Sequence, residues 1–174
     1  KNCFVHIVLC YVCAMIQSSY DYASNSWYRG LQKQIKNKLQ TSQNKVIRFI
    51  LGYDSRQHLY CADFVKLGWL DISHRVDYLA LSLMYSIVHN TAPSYLCNLE
   101  KVKHSYGTRW SNCSFTIPKV KTQGSLSFKY NSIKLWNSLP LYIRKAETKD
   151  DFKHKCKIFF KDKMIKEESN GQAI

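Results

Sequence analysis

Five places in this 174-residue sequence set chemically capable side chains close together: Cys10-x-x-Cys13, His58 with Cys61, Cys97 with His104 and Cys113, the adjacent Asp150 and Asp151, and His154 with Cys156. A structural zinc needs paired ligands at short spacing. Cys10 and Cys13 form half of such a site with no second pair, while Cys97, His104 and Cys113 are separated by six and eight intervening residues. A histidine beside a cysteine activates a thiolate only when geometry and an orienting third group support it, so both His/Cys pairs read as chance neighbours. Asp150 and Asp151 open a helical stretch, where carboxylates offset the helix dipole more readily than they hold magnesium. A two-metal nuclease or polymerase centre gathers carboxylates from separate elements, and Asp21, Asp54, Asp63, Asp71 and Asp77 show neither an adjacent pair nor metal spacing. The glycine-rich phosphate loop, the His-Glu-x-x-His helix and the Gly-x-Ser-x-Gly turn are all missing from the sequence. The residues therefore assign no catalytic group, no metal and no cofactor. The seven cysteines, odd in number and irregular in spacing, are expected to be buried free thiols in a reducing, intracellular compartment, nuclear or cytoplasmic.

Charge is the stronger signal. Lys and Arg number 26 against 12 Asp and Glu, a net charge of +14, so the default partner is a polyanion, with nucleic acid first among polyanions. Residues 1–100 hold 10 basic and 6 acidic side chains (+4), and residues 101–174 hold 16 and 6 (+10). Cations alternate with rings at Tyr106, Arg109, Trp110, Phe115, Lys119, Lys121 and Lys129, a mixture in which cations meet phosphates and rings stack on unpaired bases. The competing reading is that Trp110 and Phe115 simply anchor a long loop to the core.

The elements that must position these side chains are helical. Between Leu31 and Ile50 the apolar positions Leu31, Ile35, Leu39, Val46 and Ile50 recur at helical steps, with Ser42 continuing that face and Gly52 supplying the stop. Lys33, Lys36, Lys38, Lys45 and Arg48 take the remaining circumference, either as a surface for phosphates or as a face that touches only water. A second helix is predicted over 58–67 with Gly68 behind it. A third, capped by Asp71 or Ser73, buries Val76, Leu79, Leu83 and Ile87, is apolar nearly all round, and closes at Thr91-Ala92-Pro93. Periodicity fails from 96 to 123, where a loop or short β-hairpin near 105–123 is expected, limited to an edge by Pro118. Ser125 or Ser127 opens a helix that carries Phe128, Ile133, Leu135 and Trp136 to Pro140. A last helix runs from about 150 to 166, capped near Thr148, with Phe152, Cys156, Phe159 and Phe160 inward and a frayed tail beyond. The run CFVHIVLCYVCAMI at residues 3–16 is too short to cross a bilayer and reads as a buried helix, with a secretory segment as the alternative. The fold class expected is mainly α, a helical bundle. The opening Lys1 suggests a piece of a longer protein.

Several stretches in unbroken order from about residue 14 to residue 160 are similar to a known family: SSYDYASNSWYRGLQKQIKNKLQTSQNKVIRFILG, LGWLDISHRVDYLALSLMYSIVHNTAPSYL, TRWSNCSFTIPKVKTQGSLSFKYNSIKLWNSLPLYIRKA and DFKHKCKIFF. Together they resemble the carboxyl-terminal part of reverse transcriptases from jockey-like non-LTR retrotransposons. The resemblance implies a helical thumb at residues 1–95 and a basic carboxyl-terminal region at 96–168 packed on it, and residues 169–174 are expected as a disordered tail. It implies that the catalytic aspartates belong to an upstream palm that has no counterpart here. The chain would then grip template RNA and nascent DNA without performing the chemistry, while the parent protein is an RNA-directed DNA polymerase. Partners implied are an RNA–DNA template-primer hybrid and the palm, with no membrane. Lys33, Lys36, Lys38, Lys45, Arg48, Arg109, Lys119 and Lys121 are the expected phosphate contacts, with Gln40, Gln43 and Asn44 as neutral donors. The alternative is a structural or protein-interaction relic of a decayed element.

Overall fold

The computed structural model describes residue 11, residues 13–97, residue 99 and residues 114–170, and every regular element among them is helical. In chain order these are a π-helical turn at Cys13–Gln17, α1 (Ser18–Asp21), α2 (Ser24–Trp27), a 3-10 turn at Tyr28–Gly30, α3 (Lys33–Leu51), α4 (Cys61–Leu67) and α5 (Ile72–Val88). Two further 3-10 turns, Ser94–Leu96 and Thr122–Leu126, precede α6 (Phe128–Ser138), α7 (Leu141–Arg144) and α8 (Lys149–Ser169). The expected bundle is present. Of the expected loop or hairpin, residues 105–113 lie outside the described residues, and 114–121 form no strand, only an isolated bridge at Phe115.

The chain forms two compact units, one made of residues 1–76 and 159–174, the other of residues 77–158. The limit at 76/77 falls within α5 and the limit at 158/159 within α8.

In the first unit α3 buries Gln43, Ile47 and Ile50. The buried seam is thus offset from the one the apolar letters outline: Ile35 is 43% exposed and Ser42 lies outside, with its hydroxyl 2.8 Å from the Tyr20 hydroxyl. Tyr28, Ile72 and Val76 make a buried cluster against which Trp27, Leu31 and Leu39 pack. Helix ends follow their local chemistry. Gly52 (φ +69) and Gly68 (φ +70) both adopt the left-handed conformation. Tyr53 N–H then bonds Arg48 O at 2.9 Å, and Trp69 N–H bonds Phe64 O at 2.9 Å, which satisfies carbonyls that the helices leave open. Asp71 is the cap of α5, its Oδ1 accepting from His74 N at 3.0 Å and lying 2.6 Å from His74 Nδ1. The other ring nitrogen of the buried His74 is 3.4 Å from Glu167 Oε2. Glu168 Oε1 accepts from Cys61 N at 3.0 Å. Residues 167–169, expected as frayed tail, therefore continue α8, held by these contacts. Of the run at 3–16, residues 3–10 and 12 lie outside the described residues. Tyr11 and Met15 are 65% and 58% exposed, so the expected burial does not extend to them.

The second unit is built on a run of rings. Tyr85 and Phe152 lie 4.6 Å apart by centroid, Phe152 and Trp136 5.6 Å, and Trp136 and Phe115 6.4 Å, with Tyr85 OH donating to Ala146 O at 3.1 Å. Part of α5 contributes Ala80, Leu81, Met84, Tyr85 and Ile87 to this core. The expected inward residues Leu79 and Leu83 are only half-buried, since a helix apolar nearly all round leaves its inward side undecided until its neighbours pack. Asn90 (φ +55) ends α5 in the same left-handed manner as the two glycines, with Thr91 N–H bonding Ser86 O at 2.8 Å. Ser127 caps α6 and Thr148 caps α8.

Candidate nucleic-acid interface

Helix α3 reads KQIKNKLQTSQNKVIRFIL: five cations and no acid over 19 residues. Its seat explains which cations are free. On the inner side Gln43 Nε2 donates to Leu70 O at 2.9 Å, and Gln40 Oε1 accepts from Ile72 N at 3.0 Å. Gln40 Nε2 donates in turn to Gln43 Oε1 and to Asn44 Oδ1. Gln40 and Gln43, expected to meet a ligand, instead pin α3 to the start of α5, and Asn44 enters this network as an acceptor from Gln40. A buried amide without partners is costly, and this pairing is what makes a glutamine tolerable at 2% exposure.

Among the cations, Lys33, Lys38 and Lys45 are exposed. Lys38 and Lys45 are seven residues apart, two helical turns along one face. No described acid forms an ion pair with any of these three. Lys36 is half-buried and sits over the Tyr28 ring, its Nζ 5.1 Å from the centroid, a cation–π contact within the protein. Arg48 donates from Nε to Gln57 O at 2.7 Å and so ties the 53–60 loop to the last turns of α3. The expected contact set thus separates into three cations turned to solvent and two engaged within the chain.

In the other unit Lys119 and Lys121 are exposed on the stretch that follows Phe115. That stretch is anchored by Asn137, whose Oδ1 accepts from Phe115 N at 3.1 Å and whose Nδ2 donates to Phe115 O at 2.8 Å. Phe115 itself is 5% exposed against Trp136, so it belongs to the core and is not a platform for a base. Arg109, Tyr106, Trp110 and His104 lie outside the described residues.

One surface feature escaped the sequence reading. Phe49 is 71% exposed, and its position four residues after Lys45 places it on the cationic side of α3. Its spacing from Lys45 was the available sign, masked because a phenylalanine next to Ile50 reads as core.

Chemistry of other kinds finds little support in the described residues. No group of three or more His, Cys, Asp or Glu among them could hold a metal ion. Burial pushes the thiols of Cys61 and Cys156 up to about 12, for Cys61 with help from the nearby Glu168 carboxylate, so both are inert as nucleophiles near neutral pH. Asp54 is held below the ordinary carboxylate range by the Arg56 backbone N–H and the Ser55 hydroxyl, which fixes it as a turn-forming group in the 53–60 loop. No helix among the described residues is long and apolar enough to cross a membrane. Compared with protein-family models, with curated proteins and with solved structures, the chain finds no match in any of the three.

Proposed function

We propose that this chain is a non-catalytic nucleic-acid-binding module of a non-LTR retrotransposon reverse transcriptase, corresponding to the thumb and the region beyond it, and that it grips template RNA and nascent DNA. The observation that carries the reading is that α3 holds no acid and that Lys33, Lys38 and Lys45 are exposed on it with no ion-pair partner among the described residues, Lys38 and Lys45 sharing one face two turns apart. Exposed cations spaced along one helix suit a ligand whose negative charge repeats, because each phosphate neutralised releases a counterion and adds to affinity regardless of sequence. The resemblance of residues 14–160 to the jockey-like family supplies the particular polyanion. An upstream palm would supply the catalytic aspartates, and the compartment would be intracellular.

The test is binding of an RNA–DNA hybrid to the full chain across a salt series. Affinity should fall linearly on a logarithmic salt axis, and Lys38→Glu with Lys45→Glu should weaken binding to all sequences alike while reducing the slope by about 2. Affinity that ignores salt would reject the reading. The alternative, a structural or protein-interaction relic, draws on a different observation: Tyr95 and Tyr142 are 77% and 61% exposed in the second unit, more apolar ring surface than a phosphate grip needs. Under that alternative no variant binds hybrid.

A further inference from the structure

The cationic face of α3 is not purely electrostatic, because Phe49 projects from it. Phe49 is 71% exposed next to Lys45 and Arg48, and a ring set among cations offers a ligand a flat apolar face together with charge. The neighbouring loop offers the same mixture. The Arg48–Gln57 bond holds residues 53–60 against the end of α3, and in that loop the exposed rings of His58 and Tyr60 pack edge to face at 4.7 Å, with Arg56 exposed two residues before His58. Bases within a duplex hide their faces from such rings, whereas an unpaired base presents one.

We infer that Phe49 is a stacking site for an unpaired base, so that the surface is fitted to the junction where a hybrid gives way to single strand, with Lys38 and Lys45 on the phosphates of the paired part. The inference rests on the nucleic-acid reading above and sharpens its ligand from hybrid in general to hybrid with an overhang.

Two probes separate the ideas: a blunt RNA–DNA hybrid and the same hybrid carrying a short single-stranded extension, each titrated against the full chain at one salt concentration. The unaltered chain should prefer the extended probe by on the order of tenfold, Phe49→Ala should reduce that preference to parity while leaving blunt-hybrid affinity in place, and Phe49→Tyr should keep it. Phe49 is mostly solvent-facing, so thermal melts of the three proteins should coincide and a folding defect would be visible as such. An overhang preference unchanged by Phe49→Ala, or an equal loss on both probes, overturns the inference while the lysine response upholds the grip. A concentration-dependent dimer that Phe49→Ala abolishes would also overturn it, by assigning the ring to self-contact. If Lys38→Glu with Lys45→Glu leaves both probes unaffected, the underlying nucleic-acid reading fails instead.

Discussion

Along α3 five cations stand without an acid, whereas along α8 seven lysines share 21 residues with five acids. The consequence is visible in the contacts: Lys155 Nζ lies 2.6 Å from Asp151 Oδ2, Lys163 3.6 Å from Glu167 and Lys153 3.9 Å from Asp150, while Lys38 and Lys45 have no such neighbour among the described residues. Aromatic residues divide the same way. Phe152 and Phe160 of α8 are buried, and Phe49 of α3 faces water. The helix with fewer cations is thus the one with more to offer a polyanion, because a cation already paired at helical spacing adds little field beyond its own surface.

The sharpest way to break this contrast is to exchange the roles of the rings. Phe152→Ala should cost about 3 to 5 kcal/mol of unfolding free energy in a urea titration, whereas Phe49→Ala should change it by less than about 0.5 kcal/mol. Next in size, reversing Lys38 and Lys45 to Glu should lower hybrid affinity on the order of a hundredfold in an anisotropy titration at low salt, and reversing Lys153 and Lys163 should do far less. A smaller effect tests how α3 ends. Ala at Gly52 meets no atom within 4 Å, so Gly52→Ala should cost roughly 1 to 2 kcal/mol from the left-handed backbone alone, again by denaturation. Smallest of all, Lys155→Ala removes a half-exposed ion pair and should move stability by less than about 0.5 kcal/mol.

What the sequence disclosed about the fold was its punctuation. Gly52, Gly68, Asp71, Ser127 and Thr148 all sit where helix-ending or helix-starting chemistry requires them, since those requirements are local. Asn90 ends α5 as a glycine would, three residues before Pro93, the stronger local stop signal. The face of a helix is a different matter. On α3 the apolar pattern pointed to Ser42, and the buried position is Gln43, because a carbonyl at Leu70 and its hydrogen bond decide the rotation that side-chain hydrophobicity alone leaves open. The same limit applied to the site. Five cations were legible as a group, but only the packing of Tyr28 beneath Lys36 and of the 53–60 loop beside Arg48 tells the engaged ones from the available ones.

The amide of Gln43 also sets a condition on any attempt to replace α3. A foreign amphipathic helix with the right grease and the right lysines would still lack the group that meets Leu70, and with no Gln40 it would leave the Ile72 amide unanswered as well. Such an insert would have no key to its rotation, free to turn its lysines inward or slip by one turn, so exchanging this segment between related chains should succeed only when both glutamines travel with it.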